Sequence, residues 1–193
     1  MSTVLERTEV VLVRPSHPGN IGAAARAMKT MGLGRLRLVQ PLRFPDAAAT
    51  ALAANATDVL ERATLHATLD EALAGSTLQY AFSARARALS HAPVSVREAA
   101  AEAADATKAP GTVALVFGNE TYGLSNEELL KCNRFACIPT DPASSSLNLA
   151  AAVQVAAYEL RLAALGVGAG FSAAAPAGEP AAHADIERLH DHL

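Results

Sequence analysis

The chain has 193 residues, of which 51% are apolar, and a formal net charge of −3. This length allows one domain with an ordinary hydrophobic core and excludes two full domains. A transmembrane helix needs about eighteen consecutive apolar residues, and the sequence contains no run that approaches this length. Its first segment, MSTVLERTEV, carries charges where a signal peptide would be apolar. We therefore expect a cytoplasmic protein without a membrane partner.

Short apolar runs alternate with Ala-rich stretches of helical composition along the chain. The runs predict strands at residues 10–13, 36–39, 79–82, 113–117 and 135–138. The stretches between them predict helices at residues 21–31, 47–60, 96–106, 126–130 and 147–165. Because most strands are continuously apolar and alternate with helices, we predict an α/β fold with a mostly parallel sheet and helices on both faces. Ligands of such sheets bind at the carboxyl ends of the strands.

The C-terminal part of the chain has a different composition. Residues 166–182 consist almost wholly of Gly, Ala, Pro and Ser, which is typical of a flexible linker. Residues 183–193 place apolar side chains three and four apart, as in a short amphipathic helix that is not stable alone. We predict a catalytic domain at residues 1–165, a linker, and the start of a C-terminal helical extension.

Basic residues are concentrated near the N-terminus. Residues 1–45 carry a net charge of +5 and the rest of the chain −8. A negative total argues against nucleic-acid binding, which usually needs surplus Lys and Arg. The local surplus still allows a basic RNA-binding face, although scattered solvated side chains explain it equally well. The basic residues are Arg7, Arg14, Arg26, Lys29, Arg35, Arg37 and Arg43.

The two cysteines, Cys132 and Cys137, have no histidine close by in the sequence. Their spacing fits neither a disulfide framework nor a zinc site. We expect reduced thiols near a core strand, because a free cysteine behaves as a small hydrophobic residue. The six histidines also lack the spacing of metal ligands, so we expect no metal.

The first segment of chemical interest is HPGNIGAAARAMKTMGLGRL, residues 17–36. Gly19 and Gly22 open a predicted helix after a strand, where backbone N–H groups and the helix dipole favour an anion. The spacing matches neither the dinucleotide fingerprint nor the P-loop. Asn20 could simply cap the helix and Arg26 could simply be a surface residue. Their combination near one helix start is more specific than either residue alone.

The second segment is LVFGNETYGLSNEEL, residues 115–129. A buried strand ends at Phe117, and a polar, glycine-rich turn containing Gly118 and Glu120 follows. Ser125 can cap the next helix through the Ser-x-x-Glu pattern that it forms with Glu128. An ordinary loop with a solvated Glu120 is the alternative interpretation.

The third segment is IPTDPASSSLNLAAAVQVAAYEL, residues 138–160. Three serines at 144–146 followed by Asn148 exceed what capping one helix needs. Serine hydroxyls and backbone groups at a helix start can line a pocket that binds adenine and methionine without a metal or a charged clamp.

Together the three segments resemble the SPOUT class of RNA methyltransferases, its TrmH-like branch, and most closely the TrmJ family. The runs NIGAAAR, FGNETYGL and IPTDPASSSLNLAAAVQ occur in the family's order, and the resemblance extends over residues 8–165. It implies a tRNA (cytidine/uridine-2′-O-)-methyltransferase that uses S-adenosylmethionine (AdoMet) and releases S-adenosylhomocysteine. The implied target is the pyrimidine ribose at position 32 of the tRNA anticodon loop.

The resemblance also implies a C-terminal trefoil knot that forms the cofactor pocket, and a homodimer whose active site is shared between subunits. The sequence pattern alone would argue against a knot, because knots are nearly absent among folds. The implied catalytic residues are Arg26, Asn20, Glu120, Ser146 and Asn148. The implied cofactor-binding residues are Ser83, Ala84, Arg85, Gly118, Ile138, Ser145, Ser146 and Leu147. The residues expected to meet RNA are Arg26, Arg85 and Arg87.

Arg26 is a poor candidate for a general base, because its guanidinium stays charged. We expect it to stabilise the developing alkoxide and to orient the phosphate, with phosphate or water accepting the proton. Three alternatives remain at this point. They are a ribose methyltransferase for another tRNA or rRNA position, a catalytically inactive knotted RNA-binding protein, and an NAD enzyme, which would lack its glycine fingerprint here.

Overall fold

The computed structural model of the chain describes residues 3–84, 92–105, 111–166 and 188. Its strands are β1 (Thr8–Val13), β2 (Arg35–Val39), β3 (Thr64–His66), β4 (Ser76–Phe82), β5 (Val94–Ser95), β6 (Thr112–Phe117) and β7 (Arg134–Cys137). Its helices are α1 (Pro18–Met31), α2 (Ala47–Ala53), α3 (Thr57–Glu61), α4 (Leu69–Leu73), α5 (Val96–Ala104), α6 (Asn126–Leu130) and α7 (Leu149–Ala164).

The strands form one parallel sheet in the order β3-β2-β1-β6-β4-β7-β5. Alternate residues of β1 point into different layers, with Val10 and Leu12 in the larger apolar cluster and Val11 and Val13 in the smaller one. Helices α1, α2, α3, α5 and α7 cover the first layer, and α4 and the segment around α6 cover the second. Burial on both faces explains the continuously apolar strands, and the predicted α/β class is confirmed.

Helix α1 begins at Pro18, three residues earlier than predicted. Proline suits this first position because it lacks only an N–H group that would have no partner there. Gly22 of this helix lies against α2, where an added Cβ would be 2.0 Å from the carbonyl oxygen of Ala49. Gly22 therefore permits a close contact between α1 and α2.

Several elements differ from the sequence prediction. The single helix predicted at 47–60 is divided into α2, a 3-10 turn (Ala54–Ala56) and α3, with Ala54 at a φ of 51°. The elements β3, α4 and β5 were not predicted. The strands have three and two residues and the helix has five, which is too short to show periodicity. Helix α7 begins at Leu149, two residues later than predicted, because Asn148 caps it.

The amino edge of the sheet contains a buried carboxylate. Glu9 of β1 is 1% exposed, and its oxygens accept hydrogen bonds from Arg37 at 2.5 Å and from Ser76 at 3.4 Å. The guanidinium of Arg35 lies 3.6 Å from the same group. Arginines on the neighbouring strand β2 therefore neutralise the one acidic residue of β1.

Strand β7 lies between β4 and β5, two strands that are consecutive in the chain, and α7 then packs against α1 and α5. None of the helices in residues 3–84, 92–105 and 111–166 combines the length and apolar character needed to cross a bilayer. The linker predicted at 166–182 and the helix predicted at 183–193 lie outside the described residues, apart from Gly166 and Arg188.

Candidate functional site

A cavity of about 180 Å³ opens at the carboxyl edge of the sheet, as expected for a parallel α/β fold. Its walls are the segments that follow three strands: residues 83–84 after β4, residues 118–123 after β6, and residues from 138 to 147 after β7. The second and third wall segments belong to the motifs that the sequence singled out. The sheet therefore brings two chemically distinctive segments, far apart in sequence, to one site.

Seven of the eight predicted cofactor residues line this cavity. They are Ser83, Ala84, Gly118, Ile138, Ser145, Ser146 and Leu147. The eighth, Arg85, and the predicted RNA-binding Arg87 lie outside the described residues.

The cavity also has an aromatic pair that the sequence prediction missed. Phe82 ends β4 and Phe117 ends the adjacent β6, and their rings stack with centroids 4.6 Å apart and planes 10° from parallel. Both rings line the cavity and give it an apolar wall suited to a planar organic group. The signal was present in the sequence, since each phenylalanine is the last residue of its strand.

The turn between β6 and α6 is tightly constrained. A Cβ on Gly118 would lie 2.2 Å from the backbone of Gly123, so only glycine fits where the turn closes on itself. Gly123 has a φ of 68°, which glycine adopts without strain. The side chain of Asn119 donates to the carbonyl oxygen of Arg14 at 2.8 Å and so ties the turn to the end of β1. Glu120 is consequently presented from a rigid backbone.

The carboxylate of Glu120 is the centre of a hydrogen-bond cluster. One oxygen accepts from the backbone N–H and the hydroxyl of Ser16 at 2.8 and 2.7 Å. The other accepts from the backbone N–H of His17 at 3.2 Å and from the amide of Asn20 at 3.0 Å. The sequence prediction named Asn20 but missed Ser16 and His17, whose contribution is largely through the backbone at the start of α1.

The cluster continues from Asn20 to the C-terminal motif. The amide of Asn148 donates to Asn20 Oδ1 at 3.0 Å, and Asn148 Oδ1 accepts from the N–H groups of Ala150 and Ala151 at 2.9 and 3.4 Å. Asn148, and not one of the three serines, therefore caps α7. The capping role considered for Asn20 is wrong, because His17 occupies the N-cap position of α1 and Asn20 lies within the helix.

These contacts determine the charge state of Glu120. Partial burial by itself raises the pKa of this carboxyl, but hydrogen bonds from Asn20 and Ser16 outweigh it and lower the pKa from 4.5 to about 2. Within the part of the chain that the structure describes, no Lys or Arg pairs with Glu120. The site thus holds a carboxylate that stays ionised at neutral pH, is stabilised by neutral donors, and is too weak a base to retain a proton.

The structure places four of the five predicted catalytic residues together and one apart. Asn20, Glu120 and Asn148 form the connected cluster, and Ser146 lines the same cavity. Arg26 lies on the exposed side of α1 and does not line the cavity. It has no hydrogen-bond or ion-pair partner in the described parts of this one chain.

The basic surplus of residues 1–45 is largely used within the fold. Arg14, Lys29, Arg35 and Arg37 form ion pairs with Glu128, Asp58 and Glu9. Arg7 donates to the carbonyl oxygens of Gly111 and Ala103. Among the seven basic residues of this segment, only Arg26 and Arg43 are exposed and form no hydrogen bond or ion pair within the described structure. Most of these basic residues therefore take part in contacts within the fold.

The cysteines agree with the expectation of free thiols. Cys132 is buried and Cys137 is partly exposed, and neither forms a disulfide. Burial, together with the nearby Glu128, raises the pKa of the Cys132 thiol to about 12. Among the described residues, no three or more His, Cys, Asp or Glu side chains lie together in a group that could hold a metal ion.

Comparison with known proteins relates the site to a family of enzymes. The tRNA (cytidine/uridine/adenosine-2′-O-)-methyltransferase TrmJ of Pseudomonas aeruginosa is 52% identical over 83% of this chain, which spans 62% of that relative's length. The crystal structure of TrmJ from Z. mobilis ZM4 has a TM-score of 0.76 and 36% identity, and it covers 80% of this chain and 68% of that one.

A third match is a solved structure whose description concerns the 2-OH methylation of C/U34 on tRNA. It has 29% identity, a TM-score of 0.65, and covers 82% of this chain and 97% of its own. The model of the SpoU rRNA Methylase family matches residues 7–158, which contain the sheet, the cavity and the Glu120 cluster. Because that match extends over most of the chain and includes all the walls of the site, the chain belongs to the SpoU rRNA methylase family.

Proposed function

We propose that this chain is a cytoplasmic enzyme that transfers a methyl group from AdoMet to a ribose 2′-hydroxyl of tRNA. The observation that carries the proposal is that two of the motifs line one cavity and the third is joined to them, since Asn20 is hydrogen-bonded to both Glu120 and Asn148. The similarity to tRNA 2′-O-methyltransferases supports the same reaction and substrate class.

The residues around the cavity fit AdoMet. Phe82, Phe117 and Ile138 provide apolar surface for the adenine, and the serine-containing segment after β7 provides hydroxyl and backbone groups. When bound, AdoMet supplies a methyl group already activated on a sulfonium. The ionised Glu120 makes the local potential negative, which favours a cationic ligand over a neutral one of the same shape.

The chain's own residues then have to orient the ribose and manage its hydroxyl proton. Glu120, with a pKa of about 2, does not act as the proton acceptor at neutral pH. Asn20 and Asn148 carry no ionisable group and serve to position Glu120 and the start of α7. Phosphate or water is left as the acceptor, and Arg26 stabilises the negative charge that develops on the ribose oxygen.

Arg26 performs this role, in our proposal, at the cavity of a second copy of the chain. Its exposed position on α1, away from the cavity of its own chain, supports a contribution across a homodimer. Mixed dimers test this. An Arg26→Ala chain and a Gly118→Val chain, each inactive alone, should regain activity when co-assembled, because one site then has both intact halves. Absence of such recovery in dimers verified by mass would contradict the shared site.

We also propose the trefoil knot that the family resemblance implies. Its support is the position of β7 between β4 and β5, which follow one another among the described strands, and the packing of α7, which comes after β7 in the chain, against α1 and α5. A chain circularised through its termini should then retain a knotted topology after full denaturation, detectable as faster migration than an unknotted circular chain of equal length.

The target nucleotide within tRNA is proposed to be the pyrimidine at position 32 of the anticodon loop. The similar structure whose description concerns C/U34 methylation suggests position 34 as the alternative target. Nucleoside mapping by mass spectrometry of tRNA modified in vitro distinguishes the two, since position 32 and position 34 lie in different nuclease fragments or give different fragment ions.

Labelled AdoMet and total tRNA test the overall proposal. We expect transfer of the label to tRNA and none to a DNA analogue, because only RNA carries the 2′-hydroxyl. Digestion should yield 2′-O-methylated nucleosides. Label found on a base, or transfer to the DNA analogue, would contradict ribose methylation.

A further inference from the structure

Tyr122 is the most exposed of the large hydrophobic side chains that the structure describes, at 75%. It belongs to the turn between β6 and α6 and lines the rim of the cavity. The chain is poor in aromatic residues, with three Tyr, five Phe and no Trp. An aromatic ring in solvent beside a ligand cavity contributes little to the core, and loop residues at such places commonly bind ligands.

The backbone that carries Tyr122 is held in place by Asn119. Its Oδ1 accepts the N–H groups of Thr121 at 2.8 Å and of Tyr122 at 3.3 Å. Its carbonyl oxygen accepts the N–H of Gly123 at 2.8 Å, which closes the turn. The ring is thus carried by a pre-ordered turn. A ligand that stacks on it therefore loses little binding free energy to ordering of the loop.

Tyr122 also lies close to the reacting position. Only Thr121 separates it from Glu120 along the chain, so the Cα atoms of Tyr122 and Glu120 are at most about 7 Å apart. Glu120 lines the cavity in which the target ribose is proposed to meet AdoMet. The base attached to that ribose therefore has to lie near the rim of the cavity, where the exposed ring of Tyr122 is located.

We propose that Tyr122 stacks on the base of the nucleotide whose ribose is methylated. This inference rests on the proposed function and adds to it the group that recognises the base. Unpaired bases of RNA loops are commonly bound by stacking on aromatic side chains, and stacking tolerates different bases because each has a planar face. Tyr122 is therefore a substrate-positioning residue, and it does not take part in the transfer of the proton or the methyl group.

The first test replaces Tyr122 and a matched exposed residue. In Tyr122→Ala the KM for tRNA should rise about tenfold to a hundredfold, the range expected for loss of one base–aromatic stack. The Kd for AdoMet and the kcat at saturating tRNA should stay near wild type, and Tyr122→Phe should restore the KM. Leu130→Ala is the control, because Leu130 is 69% exposed on the following helix and lines no part of the cavity.

A second test removes the base and keeps the ribose. An anticodon stem-loop RNA that is abasic at the mapped target nucleotide still offers the 2′-hydroxyl. With this RNA the wild type and Tyr122→Ala should have the same KM, because no base remains to stack. An undiminished difference between them would overturn the proposal, as would an unchanged KM of Tyr122→Ala with intact tRNA.

The absence of tryptophan from the sequence allows a direct measurement. Tyr122→Trp introduces a single indole, whose fluorescence should be quenched by intact stem-loop RNA and not by the abasic RNA. Leu130→Trp should show no such difference. Sedimentation of Tyr122→Ala as a smaller species than wild type would overturn the proposal and assign the ring to a contact between subunits. A wild-type enzyme that methylates no RNA would instead contradict the proposed function itself.

Discussion

Two glutamates at opposite edges of the sheet show how one residue type can serve the fold or the site. Glu9, at the amino edge, is 1% exposed and is neutralised by Arg37 and Arg35 of the neighbouring strand. Glu120, at the carboxyl edge, is held by Ser16, His17 and Asn20, none of which contributes a counter-charge.

The difference lies in where the compensating charge is found. The charge of Glu9 is balanced by Arg35 and Arg37 within the described chain. The charge of Glu120 is stabilised by dipoles alone, so its negative potential still acts on whatever enters the cavity. A charge held by neutral donors is thus a better indication of a ligand site than a charge that is merely buried.

The largest predicted effect concerns Glu9. Replacement by Gln leaves Arg37, whose side chain is only 20% exposed, without its ionic partner. We expect a loss of about 3–5 kcal/mol in the free energy of unfolding, the usual cost of removing one member of a buried pair. Urea unfolding measures it. The Kd for AdoMet of the folded protein should not change, and a loss no greater than that of Glu120→Gln would remove the contrast between the two edges.

The next effect concerns Arg26, which in our proposal brings positive charge to the site from another subunit. Arg26→Ala should lower single-turnover methylation about a hundredfold or more, the scale of losing one charge-stabilising donor, with AdoMet affinity little changed. Arg43→Ala is the matched control, because Arg43 is also exposed and lacks a partner in the described structure. A wild-type rate in Arg26→Ala would contradict the assignment.

A smaller effect separates capping from positioning at Asn148. Asn148→Ala should lower the free energy of unfolding by about 1 kcal/mol through loss of the cap of α7. Asn148→Ser should restore most of that stability, since serine also caps, but not the hydrogen bond to Asn20. The turnover of both variants should fall about twofold to tenfold, the range for one neutral hydrogen bond. Full activity of Asn148→Ser would show that Asn148 acts only as a cap.

The smallest effect is a dependence of stability on pH, because Glu120 is only partly buried and solvent screens its charge. The pKa of Glu120 is about 2 in the folded chain and 4.5 as the ordinary value, so ionised Glu120 favours the folded state. Its contribution is fully present above about pH 5 and is lost as the pH falls from there towards 2. The difference in Tm between wild type and Glu120→Gln should therefore shrink over that interval. A constant difference would mean that the carboxyl is not stabilised in this way.

Much of the fold followed from local pattern, and the omissions have a physical cause. Strand β6 was predicted from its apolar run, and helix α6 begins at a capping box. Both signals lie within a few neighbouring residues of the sequence. The strand β3 is short and mostly exposed, and it exists because β2 offers a hydrogen-bonding edge beside it. The break at Ala54 is likewise set by how α2 and α3 pack on α1, which no local propensity encodes.

The sequence predicted which residues belong to the site better than it predicted how they are arranged. The family resemblance pointed to Asn20, Glu120 and Asn148, but their hydrogen bonds join residues about a hundred positions or more apart in sequence, which only the fold brings together. Phe82 and Tyr122 were not predicted as site residues, because a single aromatic side chain near a strand or turn has no distinctive spacing. The position of Arg26 in the assembled enzyme depends on a subunit arrangement that one chain does not contain.

The turn at residues 118–123 has a consequence for how the enzyme can change. Its shape is maintained by Gly118, Asn119 and Gly123, and the hydrogen bonds from residues 121 and 122 to the Asn119 side chain come from their backbone N–H groups. The side chains at those two positions can therefore vary without altering the turn or the neighbouring Glu120. The tip is a place where evolution or design can adjust the choice of RNA while the chemistry is left intact.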